Sequence, residues 1–283
     1  MSGFLEEMAR ASAARVAQAI RHESPSALER RARQAAPSVP LRLSASGFDV
    51  IAELKLRSPA AGVLGNESQD WLGRIAAYAR GGAAAVSVLT EPTRFDGTLE
   101  HLRQAAAVLA PLGVPAMRKD FLVDPYQVLE ARAAGASGVL VILRMLTRPR
   151  IAELLDIAAE HGMFVLLEAF DDLDLDVARD LMTSRAADSE VHPRDHEEQI
   201  LIGINSRDLQ TLEVVKERFA TLAPLLPAGW PAVAESGVDS AADAQRMRQL
   251  GYRMALIGTA LMAHADPSLR LREILVATRT VQP

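Results

Sequence analysis

Residues 51–62 read IAELKLRSPAAG, an apolar run that ends in charged residues, a serine and a proline. Successive side chains of a β-strand point to opposite faces, so Glu53 and Lys55 share one face and emerge together where the strand stops. Seven later apolar runs also end in a polar residue or a glycine. This recurrence is typical of α/β proteins whose polar side chains gather at the carboxyl ends of parallel strands.

The apolar runs are rich in valine, isoleucine and leucine and lack polar alternation, which predicts strands buried on both faces of a parallel sheet. The predicted strands cover residues 48–54, 84–89, 114–117, 138–143, 164–167, 200–204, 232–234 and 254–257. Stretches with helical periodicity separate them, for example 71–80, 127–134, 148–161 and 241–250.

Eight alternating β/α units within residues 48–283 predict an α/β fold, a single (β/α)8 TIM barrel. A doubly wound sheet is the competing arrangement, but it would normally show a glycine-rich turn after its first strand. Residues 1–47 carry helical patterns interrupted by Pro25, Pro37 and Pro40. We expect them to form an N-terminal helical extension that packs across one end of the barrel.

The composition of the 283 residues, 49% hydrophobic and 24% charged, is ordinary for a globular protein. A formal net charge of -5 argues against a nucleic-acid partner, which would need a basic surface. Cysteine is absent, which excludes disulfides, thiolate metal sites and cysteine nucleophiles. No run approaches the roughly 18–20 apolar residues of a membrane span, so we expect a soluble protein without a membrane partner. The absence of cysteine fits a cytoplasmic location.

Residues 183–199, TSRAADSEVHPRDHEEQ, form a polar stretch that is longer than a usual connection between a helix and a strand. We interpret Thr183 to Gln199 as a surface insertion. His192 and His196 have the spacing of a metal-binding pair on a helix, but Pro193 between them argues against a helix there. A solvated loop is the favoured interpretation.

In a parallel barrel the residues at the carboxyl ends of the strands surround one pocket. Lys119 and Glu168 follow two of the apolar runs, and each alone would be an ordinary surface charge. Several such groups at one rim instead predict a buried acid–base network, with Glu168 as a candidate general base. The strand-end candidates are Glu53, Lys55, Lys119, Glu168, Asn205, Arg207, Glu235, Ser236 and Gly258.

Two stretches of the sequence predict an anion-binding site. AESGVDS at 234–240 and LIGTALM at 256–262 each put a glycine just after a strand, where backbone N–H groups can approach a phosphate closely. The seventh and eighth loops of such barrels often form a phosphate site. Asn205 and Arg207 have strand spacing and would offer an amide and a guanidinium to an anion, although a helix cap and a salt bridge are the alternative.

The chain resembles the indole-3-glycerol-phosphate synthase family in several motifs that occur in the same order. They are FLEEMARASAARVA, IAELKLRSPAAG, SVLTEPTRFDGTLEHL, RKDFLVDPYQVLEARAAGA, GINSRDL, AESG and LIGTALM. The resemblance implies ring closure of 1-(2-carboxyphenylamino)-1-deoxyribulose 5-phosphate with loss of carbon dioxide and water, a carboxy-lyase step of tryptophan biosynthesis. It implies a phosphorylated small-molecule substrate, no metal or organic cofactor, and partners among other enzymes of the pathway.

The resemblance also implies a role for each matched residue. Lys119 would be the general acid that activates the substrate carbonyl, and Glu168 the general base in dehydration. Lys55 would contact substrate and phosphate, while Glu53 and Asn205 would hold the lysines and the intermediate. The implied substrate- and phosphate-binding residues are Ser58, Phe95, Phe121, Arg207, Glu235, Ser236, Gly237, Gly258 and Thr259. Of these, the two phenylalanines would flank the anthranilate ring.

Three alternatives keep the barrel but change the function. The first is a phosphoribosylanthranilate isomerase, which would not need the set Glu53, Lys55 and Lys119. The second is a non-catalytic barrel that binds phosphate or acts as a scaffold. The third is a divergent paralogue, suggested because Leu56, Ala60, Ala169-Phe170 and the insertion Thr183 to Gln199 depart from the usual family pattern.

Overall fold

Eight parallel strands form the centre of the protein. The computed structural model describes residues 3–45, 47–58, 62–63, 70–191 and 199–279, without the side chains of residues 58, 63, 188–191 and 279. The strands are β1 (Asp49–Leu54), β2 (Ala85–Leu89), β3 (Ala116–Lys119), β4 (Gly138–Ile142), β5 (Phe164–Ala169), β6 (Ile200–Asn205), β7 (Ala232–Glu235) and β8 (Met254–Ile257). Each pairs with the next in the chain, and β8 pairs with β1 to close the barrel. The predicted (β/α)8 fold is confirmed.

Helices surround the barrel and precede it. They are α1 (Gly3–His22), α2 (Pro25–Gln34), α3 (Trp71–Gly81), α4 (Pro92–Phe95), α5 (Leu99–Leu109), α6 (Pro125–Ala133), α7 (Arg148–Glu160), α8 (Asp172–Val191), α9 (Glu217–Leu222), α10 (Ala241–Gln249), α11 (Thr259–Met262) and α12 (Pro267–Arg279). Several begin where a side chain accepts a hydrogen bond from the first turn, as Thr98 does for α5 and Ser240 for α10. None of the helices in the described ranges has the length and apolar character needed to cross a membrane.

The two faces of each strand form two separate layers of core. Outward side chains pack against the helices, and inward side chains such as Ile51, Met117, Leu166 and Val233 fill the barrel. Because side chains alternate, the inward position two residues later lies at the strand end. That position is occupied by Glu53, Lys119, Glu168 and Glu235, respectively. The alternation of side chains therefore places these ionisable groups together at the carboxyl ends of the strands, which form the mouth of the barrel.

The N-terminal extension covers part of this mouth. Met8 of α1 joins the apolar cluster inside the barrel. Ser12 is fully buried, and its hydroxyl donates to the carbonyl of Phe121 at 2.5 Å. Arg15 donates to the carboxylate of Asp120 at 2.7 Å. These contacts agree with the expectation that the extension packs across one end of the barrel, while a domain boundary after residue 47 stays a prediction.

The expected surface insertion is helical in its first part. Helix α8 continues to Val191, so residues 183–191 of the expected insertion extend the preceding helix. The reason is packing: Leu181 and Arg185 are buried, and Arg185 forms an ion pair with Asp156 at 3.0 Å. The expectations for His192 and His196 lie outside the described residues.

Candidate active site

Two adjoining cavities open at the carboxyl ends of the strands. The first contains about 870 Å³ of space continuous with solvent, and the second about 630 Å³. The first is lined by the predicted residues Glu53, Lys55, Phe95, Lys119, Phe121, Glu168, Asn205, Arg207, Glu235 and Ser236. The second is lined by Gly237, Gly258 and Thr259, together with Lys55, Arg207 and Ser236. Ser58 lies in a short antiparallel pairing with Gly62, and its side chain is outside the described part of the protein.

Lys119 lies between two carboxyl groups. Its ammonium is 3.4 Å from the nearer oxygen of Glu235 and 3.7 Å from that of Glu168. Burial acts to lower the pKa of Lys119, but the neighbouring carboxylates Glu168, Glu235 and Glu53 outweigh burial and raise it above its ordinary value. Lys119 is therefore a charged ammonium, and it lines the first cavity as a hydrogen-bond donor.

Glu53 and Lys55 form the second ionic contact of the mouth, with 2.8 Å between carboxylate oxygen and ammonium. Burial acts to raise the pKa of Glu53, yet Lys55 and Lys119 lower it overall. Glu53 is thus an anion shared by two cations. The spacing of two residues on one strand produces this pair directly, as the sequence predicts.

Glu235 differs from the other carboxyl groups of the mouth. Burial and the nearby charge of Glu168 raise its pKa to about 8. One of its oxygens has no hydrogen-bond partner among the described residues. The same cavity is lined by two ammonium groups, one guanidinium and several carboxyl groups, so Glu235 belongs to a dense network of opposite charges.

The amide of Asn205 is oriented by its surroundings. Its oxygen accepts hydrogen bonds from the N–H of Arg207 and from the hydroxyl of Ser236, both at 2.9 Å. The amide NH2 must therefore face the other way, where it donates to Glu168. The helix cap considered as an alternative is absent, because Asn205 ends β6 and caps no described helix.

The guanidinium of Arg207 is held by the loop that follows β6. It donates to the carbonyl of Leu212 at 2.7 Å, and the backbone of Arg207 forms an antiparallel bridge with Val214. Leu212 has a φ of 63°, in the left-handed region. The folded loop thus fixes the cation at the border between the two cavities.

Two glycines make room for the carboxyl groups. A Cβ on Gly203 would lie 2.1 Å from an oxygen of Glu235, and one on Gly258 would lie 2.8 Å from an oxygen of Glu53. The sequence prediction assigned Gly258 to phosphate binding and overlooked Gly203. A glycine inside a predicted strand was the available signal, since it often marks a close approach.

Three aromatic rings line one side of the first cavity. Phe95 and Phe121 lie 6.3 Å apart between ring centres, and Phe4 meets Phe121 edge to face at 5.8 Å. Phe4 was not predicted, because it comes from α1 and not from a strand end. Aromatic rings and ionisable groups line the same cavity, which suits a ligand that is apolar at one end and charged at the other.

Two of the departures from the family pattern, Leu56 and Ala169-Phe170, directly follow Lys55 and Glu168 in the sequence. Leu56 is buried, and Ala60 is outside the described residues. Phe170 is buried, with the guanidinium of Arg144 stacked 4.6 Å from its ring centre. None of the departures takes the place of an ionisable group of the first cavity. Within the described ranges, no cluster of three or more acidic or histidine residues is arranged to hold a metal ion.

Fold and mouth together define a class: (β/α)8-barrel proteins with a buried ionisable network at the carboxyl ends of their strands. The family model described as Indole-3-glycerol phosphate synthase matches residues 5–274. The chain belongs to the indole-3-glycerol phosphate synthase family, which confirms the resemblance seen in its motifs.

Relatives of the chain carry the same name. An indole-3-glycerol phosphate synthase from Bordetella pertussis is 36% identical over 281 residues, covering 97% of this chain and 100% of that protein. One from Leifsonia xyli is 40% identical over 275 residues, covering 96% and 95%. Among solved structures, 3-hexulose-6-phosphate synthase from Salmonella typhimurium aligns with a TM-score of 0.58 at 14% identity, covering 81% of this chain and 98% of that one. At that identity the likeness shows the fold alone.

Proposed function

We propose that the protein is an indole-3-glycerol-phosphate synthase that closes the indole ring of 1-(2-carboxyphenylamino)-1-deoxyribulose 5-phosphate. The observation that carries the proposal is the ammonium of Lys119, held within 3.7 Å of two carboxyl groups in the first cavity. Family membership supports it, and so does a neighbouring cavity lined by glycines and cations.

Substrate binding would use both cavities. We assign the phosphate to the second cavity, where the backbone of Gly237, Gly258 and Thr259 is available, with Ser58 as a further contact. The carboxyphenyl ring would lie against Phe95 and Phe121 in the first cavity. This placement brings the ketone of the sugar chain to the middle of the mouth, near Lys119.

Ring closure begins at that ketone. The ring carbon that bears the carboxylate attacks the carbonyl carbon, and Lys119 protonates the carbonyl oxygen as the new carbon–carbon bond forms. Loss of carbon dioxide then returns the bonding electron pair to the ring. A hydroxyl group remains on the carbon that was attacked.

Dehydration removes that hydroxyl as water. Glu168 would take the proton from the neighbouring carbon while an ammonium group protonates the departing oxygen. Asn205 orients Glu168 through its amide, and Glu53 holds Lys55 beside the substrate. Arg207, Glu235 and Ser236 complete the polar wall.

The test is turnover of the two candidate substrates. Purified protein is mixed with 1-(2-carboxyphenylamino)-1-deoxyribulose 5-phosphate, and the fluorescence of the indole product is followed over time. A steady increase is expected. Phosphoribosylanthranilate serves as the comparison substrate, and turnover of that compound alone would refute the proposal in favour of an isomerase. Phosphate binding without turnover of either compound would indicate the non-catalytic barrel.

The finer expectations about the protein's surroundings are also proposals. We propose that it acts in the cytoplasm, without nucleic acid or membrane as a partner and without a metal or organic cofactor. The net charge of -5 supports the absence of a nucleic-acid partner, and the acids and bases of the first cavity support chemistry without a cofactor. Other enzymes of the pathway are the proposed protein partners, to be sought by co-purification from the native cell.

A further inference from the structure

All three lysines of the chain lie at the barrel mouth. The sequence has 31 lysine and arginine residues, of which only Lys55, Lys119 and Lys216 are lysines. Lys55 and Lys119 line the first cavity, and Lys55 and Lys216 line the second. Arginine serves as the cation everywhere else in the chain. Lys216 is the one lysine without a role in the proposed mechanism.

The loop after β6 folds back to carry Lys216 to the second cavity. Arg207 and Val214 pair in an antiparallel bridge, which turns the following residues toward the loop after β7. A Cβ placed on Gly237 would lie 3.3 Å from Cε of Lys216. The aliphatic part of Lys216 therefore packs over a glycine that has a φ of 75° and lines the same cavity.

The other charges around the second cavity leave a phosphate dianion short of cations. The ammonium of Lys55 is already paired with Glu53 at 2.8 Å. Arg207 contributes one positive charge, and Asp239 adds a negative charge to the lining. Without a further cation, these four side chains sum to no net positive charge, which is a poor environment for a dianion.

Lys216 brings the side chains that line the second cavity to a net charge of +1, because its own partner Asp243 is not among the lining residues. Its ammonium donates to Asp243 at 3.0 Å, and Asp243 also accepts from the hydroxyl of Ser240 at 2.7 Å. An ammonium has three donors, so this contact holds Lys216 in place and leaves two donors for a ligand. The Lys216 side chain is 42% exposed, which allows a small adjustment toward the cavity.

We propose that Lys216 is a phosphate-binding residue of the second cavity, contributing a charge-assisted hydrogen bond to the phosphate of the substrate. The inference rests on the proposed function, because it takes the second cavity as the phosphate site. No pattern of strand ends selects Lys216, which lies eleven positions beyond the end of β6 at Asn205.

The experiment measures phosphate affinity and kinetics in parallel. Inorganic phosphate is the binding probe, used in calorimetry with the full-length protein. Lys216→Gln is expected to weaken its binding by about tenfold, the scale of one charge-assisted contact. Lys216→Arg keeps the charge and should recover most of that affinity. Arg246→Gln removes an equal charge from the exposed side of α10 and should bind phosphate like the parent protein.

Steady-state kinetics distinguish phosphate binding from a structural role, because a structural role would affect substrates with and without phosphate equally. With the phosphorylated substrate, Lys216→Gln should raise KM far more than it lowers kcat; with the substrate lacking its phosphate, kcat/KM should match that of the parent protein. Unchanged phosphate affinity in Lys216→Gln, or an equal loss in Arg246→Gln, would overturn the assignment. If the parent protein fails to turn over the substrate but Lys216→Gln still loses phosphate affinity, the proposed function falls and the assignment of Lys216 stands.

Discussion

At the scale of single residues, similar side chains at the barrel mouth have different pKa values because their environments differ. Glu53 is an anion between two lysines, whereas Glu235 is buried beside Glu168 and retains its proton to higher pH. Lys119 keeps its charge because carboxylates outweigh the effect of burial. Groups with ordinary chemistry thus acquire separate acid and base roles from their positions.

Replacing Lys119 should abolish the proposed proton transfer. Lys119→Met is expected to lower kcat by about 10³-fold, within the usual range for loss of a general acid. Lys119→Arg keeps a positive charge, but its larger planar guanidinium does not place a single donor at the point between Glu168 and Glu235 that the ammonium occupies, so it should be as slow as the methionine variant. Indole fluorescence measures the rates, and circular dichroism checks the fold. A rate for Lys119→Met within tenfold of the parent would exclude the assigned role.

Glu235 should make stability depend on pH. Its pKa is 4.5 in the unfolded chain and about 8 in the fold, so only the folded state holds the proton between these values. The free energy of unfolding should therefore fall as pH rises through this interval, by at most about 1.4 kcal/mol per pH unit from this group. Glu235→Gln should lose that dependence and gain stability relative to the parent at pH 8. Urea denaturation of both proteins from pH 5 to 9 measures it; parallel curves would contradict the prediction.

At the scale of elements, strand β6 is shaped by the carboxyl group that lies against it. Gly203 leaves the space that an oxygen of Glu235 occupies, and Asn205 at the end of the same strand orients Glu168. One strand thereby positions two carboxyl groups contributed by its neighbours β5 and β7.

Gly203→Ala should displace Glu235. The new methyl group would lie 2.1 Å from a carboxyl oxygen, and we expect a loss of about 1–3 kcal/mol in stability together with a lower kcat. The shorter side chain in the double variant Gly203→Ala, Glu235→Asp should restore part of the stability. Thermal melts of the single and double variants test this coupling. Additive losses would show that the two side chains do not interfere.

Helix α1 should depend on its buried serine. Ser12 donates to the carbonyl of Phe121 and accepts from the amide of Gln127 at 2.9 Å. Ser12→Ala leaves both partners unsatisfied, so we expect a loss of about 1–3 kcal/mol in urea denaturation. Ser26→Ala, on the exposed side of α2, is the matched control and should change stability by less than about 0.5 kcal/mol. Equal effects of the two substitutions would disprove the role of burial.

At the scale of the whole molecule, most of the barrel was predictable because its strands are continuous apolar runs. The alternation of side chains also predicted which strand-end residues point into the barrel. Glu53, Lys119, Glu168 and Glu235 were therefore identified from the sequence, and all four line the first cavity. Phe4 and Lys216 were missed, because a separate helix and a folded loop bring them to the mouth. Contacts of that kind depend on tertiary packing, which local patterns do not encode. The same holds for the extension of α8, which follows from burial of Leu181 and Arg185.

The confinement of lysine to one end of the barrel has a practical chemical consequence. Apart from the amino terminus, a reagent that acylates primary amines has targets only around the two cavities. Lys216, with 42% of its side chain exposed, should react before Lys55 and Lys119, at 14% and 16%. Peptide mass mapping after brief treatment would therefore record which of the two cavities a bound ligand shields.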